Sequence, residues 1–186
     1  MFPLKHLLRL ACAAPFGLLA ACTTAPALAP LPTVPAVDLA RYQGRWYEIS
    51  ALPNRFQAQC VADTQADYQL DGDHVTVRNS CRNARGEVEQ AQGLAEPVSG
   101  SQQAKLRVSF FRPFYGDYWV LALDADYRWV LVGEPTRRYG WVLSRTPSLP
   151  PADLAQALGR AEQLGYERQA FVMTPQSAAS AAAATH

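Results

Sequence analysis

Between residues 46 and 145 the chain is a succession of short β-prone runs broken by turn residues, a rhythm that limits it to an all-β sandwich or barrel. The runs are 46–51, 61–70, 74–81, 88–94, 104–111, 118–124, 129–132 and 141–145, which makes eight. Asp71-Gly72-Asp73 marks a tight turn between the second and third, since Asp and Gly accept the positive φ that such hairpins need. After the strands the periodicity changes. Within 149–165, Pro150 and Pro151 suit a first turn, Leu154, Ala157, Leu158, Ala161 and Leu164 recur at helical spacing, and Gly165 is a stop. One amphipathic helix packed on the β wall is therefore expected, followed by a short final strand, 169–173, beside the first strand. A hydrophobic content of 49% over 186 residues suffices for one core.

The ends of the chain read differently. Residues 1–21 have the form of an export signal, with Lys5, His6 and Arg9 ahead of an apolar run too short to cross a membrane as a helix. That run ends in Leu19-Ala20-Ala21-Cys22, which resembles the lipobox of bacterial lipoproteins. The resemblance implies cleavage before Cys22, a diacylglyceryl group on its thiol and an acyl chain such as palmitate on its new amine. Such double lipidation anchors stably, at roughly 0.8 kcal/mol for each buried methylene. An ordinary signal cut near Ala21 or Ala27, with Cys22 a free thiol, is the alternative. Thr23 in place of Asp points to the outer membrane, with the domain facing the periplasm. Residues 22–37, rich in Pro and Ala and without charge, read as an extended tether, 38–175 as the barrel domain and 176–186 as a frayed Ala/Ser tail.

Removal of the signal takes Cys12 with it and Cys22 becomes the lipid site, which leaves Cys60 and Cys81 as a pair in an oxidising compartment. Folding the hairpin at residues 71–72 sets Cys60 opposite 82–84, within a residue or so of Cys81, so a cross-strand disulfide is sterically reasonable. Loss of Lys5 and Arg9 leaves 15 of the 17 basic residues against 16 acidic ones. A near-neutral domain argues against nucleic acid as a partner.

The first strand opens with Tyr42-Gln43-Gly44-Arg45-Trp46-Tyr47-Glu48-Ile49, the sixth runs Asp117-Tyr118-Trp119-Val120-Leu121-Ala122-Leu123-Asp124, and the eighth closes with Trp141-Val142-Leu143-Ser144-Arg145-Thr146-Pro147. These motifs, in this order, resemble the lipocalin family and particularly its bacterial lipoprotein and apolipoprotein D-like branch. Val108-Ser109-Phe110-Phe111 and Pro113-Phe114-Tyr115-Gly116 also look like the bacterial branch, and the resemblance spans about residues 39–174. It implies an all-β fold: an eight-stranded antiparallel up-and-down barrel with one C-terminal α-helix and a short final strand. It also implies that Gly44 and Trp46 close one barrel end, with Arg145 lying across the indole, and that Asp124 holds a turn. The second motif departs from many members, which have Thr-Asp-Tyr where this chain has Leu123-Asp124-Ala125.

Alternation assigns the lining. In Lys105-Leu106-Arg107-Val108-Ser109-Phe110 the charged residues face water, leaving Leu106, Val108 and Phe110 inside. Trp119, Leu121 and Leu123 share one face, Trp129 and Leu131 face inward if Arg128 faces out, and Ala66 and Tyr68 are in phase. The resemblance places Tyr68 and Trp119 at cup-lining positions, so the expected ligand contacts are Tyr68, Leu106, Val108, Phe110, Trp119, Leu121 and Trp129. The implied ligand is a fatty acid, lysophospholipid or similar amphiphile, carried or stored in the bacterial envelope. Arg112 is either a solvated loop arginine or a headgroup contact. No cofactor or metal is expected, and the resemblance allows a homodimer.

An enzyme is not expected. The three histidines, His6, His74 and His186, fall in the signal, a hairpin and the tail, and Ser109 and Ser144 lack the strand-turn-helix setting of an activated nucleophile. Glu48 and Asp124 are read as a barrel and a turn residue. The remaining alternatives are a filled barrel that recruits an envelope partner, or a catalytic lipocalin.

Overall fold

The structure is a computed structural model that describes residues 29–177. The signal, Cys12 and the lipidation expectation at Cys22 lie outside the described residues.

Alternating side chains and tight turns produce eight strands: β1 (Gly44–Ala51), β2 (Cys60–Asp71), β3 (His74–Asn83), β4 (Val88–Pro97), β5 (Lys105–Phe111), β6 (Phe114–Leu123), β7 (Trp129–Gly133) and β8 (Gly140–Ser144). Each pairs antiparallel with its sequence neighbour, and β1 pairs with both β8 and β2, so the sheet closes into a barrel. The turn after β2 is tight because Gly72 takes φ +62°, and the register that follows sets Tyr68 opposite Val77. Cys60 and Cys81 are joined by a disulfide with Cα atoms 5.6 Å apart. The last strand, β9 (Val172–Met173), lies outside the ring and pairs with the end of β1, Ser50 opposite Met173.

This topology sorts the connections to two ends. The β2–β3, β4–β5 and β6–β7 turns lie at one end, which is closed, and the β1–β2, β3–β4, β5–β6 and β7–β8 connections surround the other, which is open. The sixth strand starts at Phe114, four residues before the sequence pattern places it. Phe111 pairs with Phe114 across a two-residue turn, and their rings stack at 6.2 Å.

Two helices bracket the barrel. The short α1 (Leu39–Tyr42), which hydrophobic periodicity does not reveal, is capped by Asp38, whose carboxylate accepts from the Ala40 and Arg41 amides at 2.9 and 3.3 Å. The longer α2 (Pro151–Gln163) starts after Pro150 and stops before Gly165, where φ is +85°. Its Ala157 and Ala161 are fully buried against the barrel, where small side chains let the helix approach closely.

Apolar burial therefore falls into two clusters. One fills the barrel interior and includes Trp46, Tyr68, Val77, Leu106, Val120, Val130 and Val132. The other lies between the barrel and α2 and includes Tyr47, Ile49, Leu121, Trp129, Leu131 and Val142. The tether expectation is corrected for residues 31–37: Leu31 and Val37 are buried, and the Val34 and Val37 amides donate to the Val120 and Gln102 carbonyls at 2.9 and 3.0 Å. Leu31, Val34 and Val37 recur every third residue, the period that puts side chains of an extended proline-rich chain on one side. At the other terminus Gln176 and Ser177, the first residues of the expected tail, are bonded to the Glu48 and Thr64 carbonyls and to Asp63.

Candidate functional site

The closed end is sealed by a stack of side chains. Trp46, with no exposed surface, donates its indole N–H to the Tyr42 carbonyl at 2.9 Å, and the Arg145 guanidinium lies 3.9 Å over its ring. Arg145 also donates to the carbonyls of Gln43, Arg45 and Arg41 at 2.7, 3.0 and 2.7 Å. Gly44 sits beside it at φ +90°, where an L side chain would be strained. Asp124 organises the neighbouring turn by accepting from the Asp126 and Arg128 amides, and the Arg128 guanidinium holds its carboxyl below the usual carboxylate range.

Above this plug three tyrosines meet. Tyr118 is hydrogen-bonded to Tyr42 at 2.7 Å and to Tyr68 at 3.0 Å. Burial pushes the Tyr68 phenol up to about 12 and the other two well above the usual tyrosine value, so all three are neutral hydroxyls at any physiological pH. The floor of the barrel thus carries one connected polar spot inside an apolar wall of Val75, Val77, Ala95, Leu106 and Val120.

In the upper half of the interior, β4 and β6 present small residues. Register places Gly93 opposite the inward Val77, Ala91 opposite Asn79 two residues further up, and Gly116 opposite the inward Val108. Ala91 and Gly116 are exposed, so solvent reaches these inner-face positions, whereas the Phe110 ring fills the space beside Gly93. Trp141 and Glu48 face the same space from β8 and β1. Glu48 accepts from Thr174 Oγ1 at 2.5 Å and from Gln57 Nε2 at 2.7 Å, and Gln57 Oε1 accepts from the Trp141 indole N–H at 3.0 Å. Gln57 comes from a 3-10 turn, Arg55–Gln57, so the β1–β2 connection folds inward over the mouth. Burial raises the Glu48 carboxyl above its ordinary value, against the lowering effect of these two donors.

One wall is interrupted. The β4–β5 ladder is paired only from Leu94 opposite Ser109 to Pro97 opposite Leu106, and where it stops a cleft of about 280 Å³ opens, lined by Gln92, Gly93, Ser109, Phe110, Phe111 and Arg112. Ser109 Oγ is buried there without a hydrogen-bond partner among the described residues. Arg112 is exposed and lies 3.8 Å from Glu96.

Of the seven expected ligand contacts, the barrel brings four to its inner face. Tyr68 and Leu106 are buried in the interior cluster, Val108 packs against it, and Phe110 reaches the mouth, its ring against Gly93. The other three are corrected: Trp119, Leu121 and Trp129 lie on the outer side, in the cluster covered by α2, and Lys105 stacks 3.9 Å over the Trp119 ring. The reason is that α2 makes the outer face of β6–β8 as apolar as the inner, which erases alternation. A register shift between Val120 and Ala122 then changes the phase within β6. Arg128, taken as an outward marker, belongs to the turn before β7. The exposed Asp117 carries the usable signal, since an outward Asp117 sends Tyr118 and Val120 inward. Alternation and the motifs assign no cup role to Tyr42, Tyr118, Gly116, Gln57 or Trp141, and give Glu48 only that of a barrel residue.

Comparison with known proteins agrees with this architecture. A family model described as a lipocalin-like domain matches residues 37–176. Temperature-induced lipocalin-1 of Arabidopsis thaliana is 39% identical over 154 residues, 77% of this chain and 82% of that protein. Outer membrane lipoprotein Blc of Escherichia coli strain K12 is 38% identical over 141 residues, 75% of this chain and 79% of its own length. Among solved structures, insecticyanin from the tobacco hornworm Manduca sexta shares the fold with a TM-score of 0.65 at 23% identity, covering 85% of this chain and 89% of that one.

Proposed function

Because the chain belongs to the lipocalin family, we propose that it binds a single-chain amphiphile, a fatty acid or lysophospholipid, in the upper half of its barrel and carries or stores it in the bacterial envelope. The observation that carries this reading is the contrast within the interior. Below, Trp46, Tyr42 and Tyr68 are packed tight; above, inner-face Ala91 and Gly116 are exposed to solvent, and the Phe110 ring lies against Gly93. Acyl carbons would lie against Val108, Phe110 and Trp141, and a polar end would meet either the tyrosine hydroxyls below or the Glu48–Gln57 pair at the mouth.

Lipidation of Cys22 and retention at the periplasmic face of the outer membrane form part of this proposal, supported by the Leu19-Ala20-Ala21-Cys22 sequence and by the lipoprotein names of the bacterial relatives. The role is that of a binder and not of a catalyst.

The test is native mass spectrometry with lipid extraction on the protein purified from a periplasm, beside Gly116→Trp. A Cβ added at Gly116 meets nothing within 4 Å, so an indole there has open space on the inner face from which to block the proposed site. Bound fatty acid or lysophospholipid in the parent, reduced at least tenfold in the variant with an unchanged melting temperature, is the expected result. A parent that carries no lipid and takes up none when it is added would refute the carrier role in favour of a filled barrel.

A further inference from the structure

The nine large apolar side chains that are most exposed among the described residues all belong to the open end. Phe111 and Phe114, 75% and 70% exposed, form the tip of the β5–β6 hairpin, with Phe110 and Tyr115 behind them. Phe56 is in the β1–β2 connection, Val61 and Val88 are at the open-end starts of β2 and β4, and β9 supplies the remaining two. A barrel that needed only to admit a ligand would not require an apolar rim extending over three connections and an added strand.

Charge is divided in the same direction. The open-end connections hold Arg55, Arg85, Arg112, Arg137 and Arg138 against Glu87 and the buried Glu134. The turns at the closed end hold Asp73, Asp124 and Asp126 against Arg128. Apolar tips flanked by arginine fit a surface with anionic headgroups over an acyl layer.

The course of the N-terminal segment agrees. The Ala29 carbonyl accepts from Arg137 Nη2 at 2.7 Å, which puts the start of the described chain beside the β7–β8 connection, at the open end. Only residues 23–28 separate it from Cys22. Seven residue steps extend to at most about 25 Å, so a chain anchored at Cys22 would hold its open end, and not its acidic end, within reach of the bilayer.

We infer that the aromatic and arginine-bearing rim, centred on Phe111, Arg112 and Phe114, docks on an anionic lipid surface, so that the mouth of the cup and the β4–β5 cleft open onto the membrane from which the amphiphile is drawn. This deepens the carrier reading by naming where the ligand enters, yet it is tested apart from it.

Residues 29–177 contain the eight strands of the closed ring and both apolar clusters, so the chain from Cys22 onward, with Cys22→Ser to exclude the anchor, includes the whole ring. It is sedimented with vesicles of phosphatidylethanolamine and phosphatidylglycerol, and with vesicles of phosphatidylcholine alone. Binding to the anionic vesicles is expected, weaker to the neutral ones, and at least tenfold weaker in Phe111→Asp/Phe114→Asp. Arg112→Glu, which leaves the aromatic tip in place, should give a smaller loss that high salt abolishes. Dibrominated stearate should still bind both variants, which separates loss of docking from loss of the cup. Equal vesicle binding by parent and double variant would overturn the inference. So would a parent that ignores vesicles and instead forms a dimer broken by the same double substitution, since the rim would then cover a second copy of the chain.

Discussion

At the closed end of the barrel, Trp46 is fully buried beneath Arg145, and that arginine is tied to three backbone carbonyls. At the open end the inner positions hold Ala91, Gly93 and Gly116, while Phe111 and Phe114 project into solvent. The same eight strands run through both ends, so the difference lies in their side chains and in the connections that cover them. Large interdigitated groups at one end fix the fold. Small inner groups at the other leave inner positions open to solvent beneath an exposed aromatic edge. A barrel can thus sacrifice packing in its upper half because its lower half, and the helix-covered outer wall, supply the contacts that stability requires.

The comparison breaks if the closed end is not the anchor of stability. Trp46→Ala removes the largest fully buried side chain and leaves Arg145 without its aromatic partner, so urea unfolding should show a loss of about 3–5 kcal/mol, the usual cost of truncating a buried aromatic. A loss under 1 kcal/mol would mean that the α2 side of the wall carries the fold instead.

A smaller effect sharpens the contrast at the open end. Burial raises the Glu48 carboxyl, so the folded state holds its proton to higher pH than the unfolded chain does. Stability from this group is therefore fully present below the ordinary glutamate value of 4.5 and is lost as pH rises through the raised folded value. Glu48→Gln should flatten the stability profile across that window and be the more stable protein at neutral pH, by thermal melts at closely spaced pH. A parallel profile in the two proteins would show that the mouth pays no cost for its carboxylate.

Much of the barrel was legible in the sequence because turns and charges punctuate it. Asp71-Gly72-Asp73, the outward Lys105 and Arg107, and the prolines before α2 each reflect a local demand that leaves a mark on residue type. The inner face of β5 was readable for that reason, since water covers its other side. The β6–β7 wall was not, because α2 buries its outer face and both sides of those strands are apolar. Trp119 and Trp129 are thus large aromatics whose position depends on a helix distant in the sequence. The docking of residues 31–37 escaped a composition-based reading because its prolines outweigh three apolar side chains spaced by three. The Gln57 bridge between Glu48 and Trp141 joins three elements, and local patterning carries no trace of it.

The division between a packed floor, a proposed ligand site in the upper barrel and a helix-covered outer wall is tested most directly by quenching of tryptophan emission with dibrominated stearate. Trp141 packs on the barrel interior, whereas Trp119 and Trp129 lie in the cluster under α2. Quenching is predicted to persist in Trp119→Phe/Trp129→Phe and to fall sharply in Trp141→Phe. Quenching that survives in Trp141→Phe and vanishes in the double variant would place the ligand beneath the helix and contradict the account.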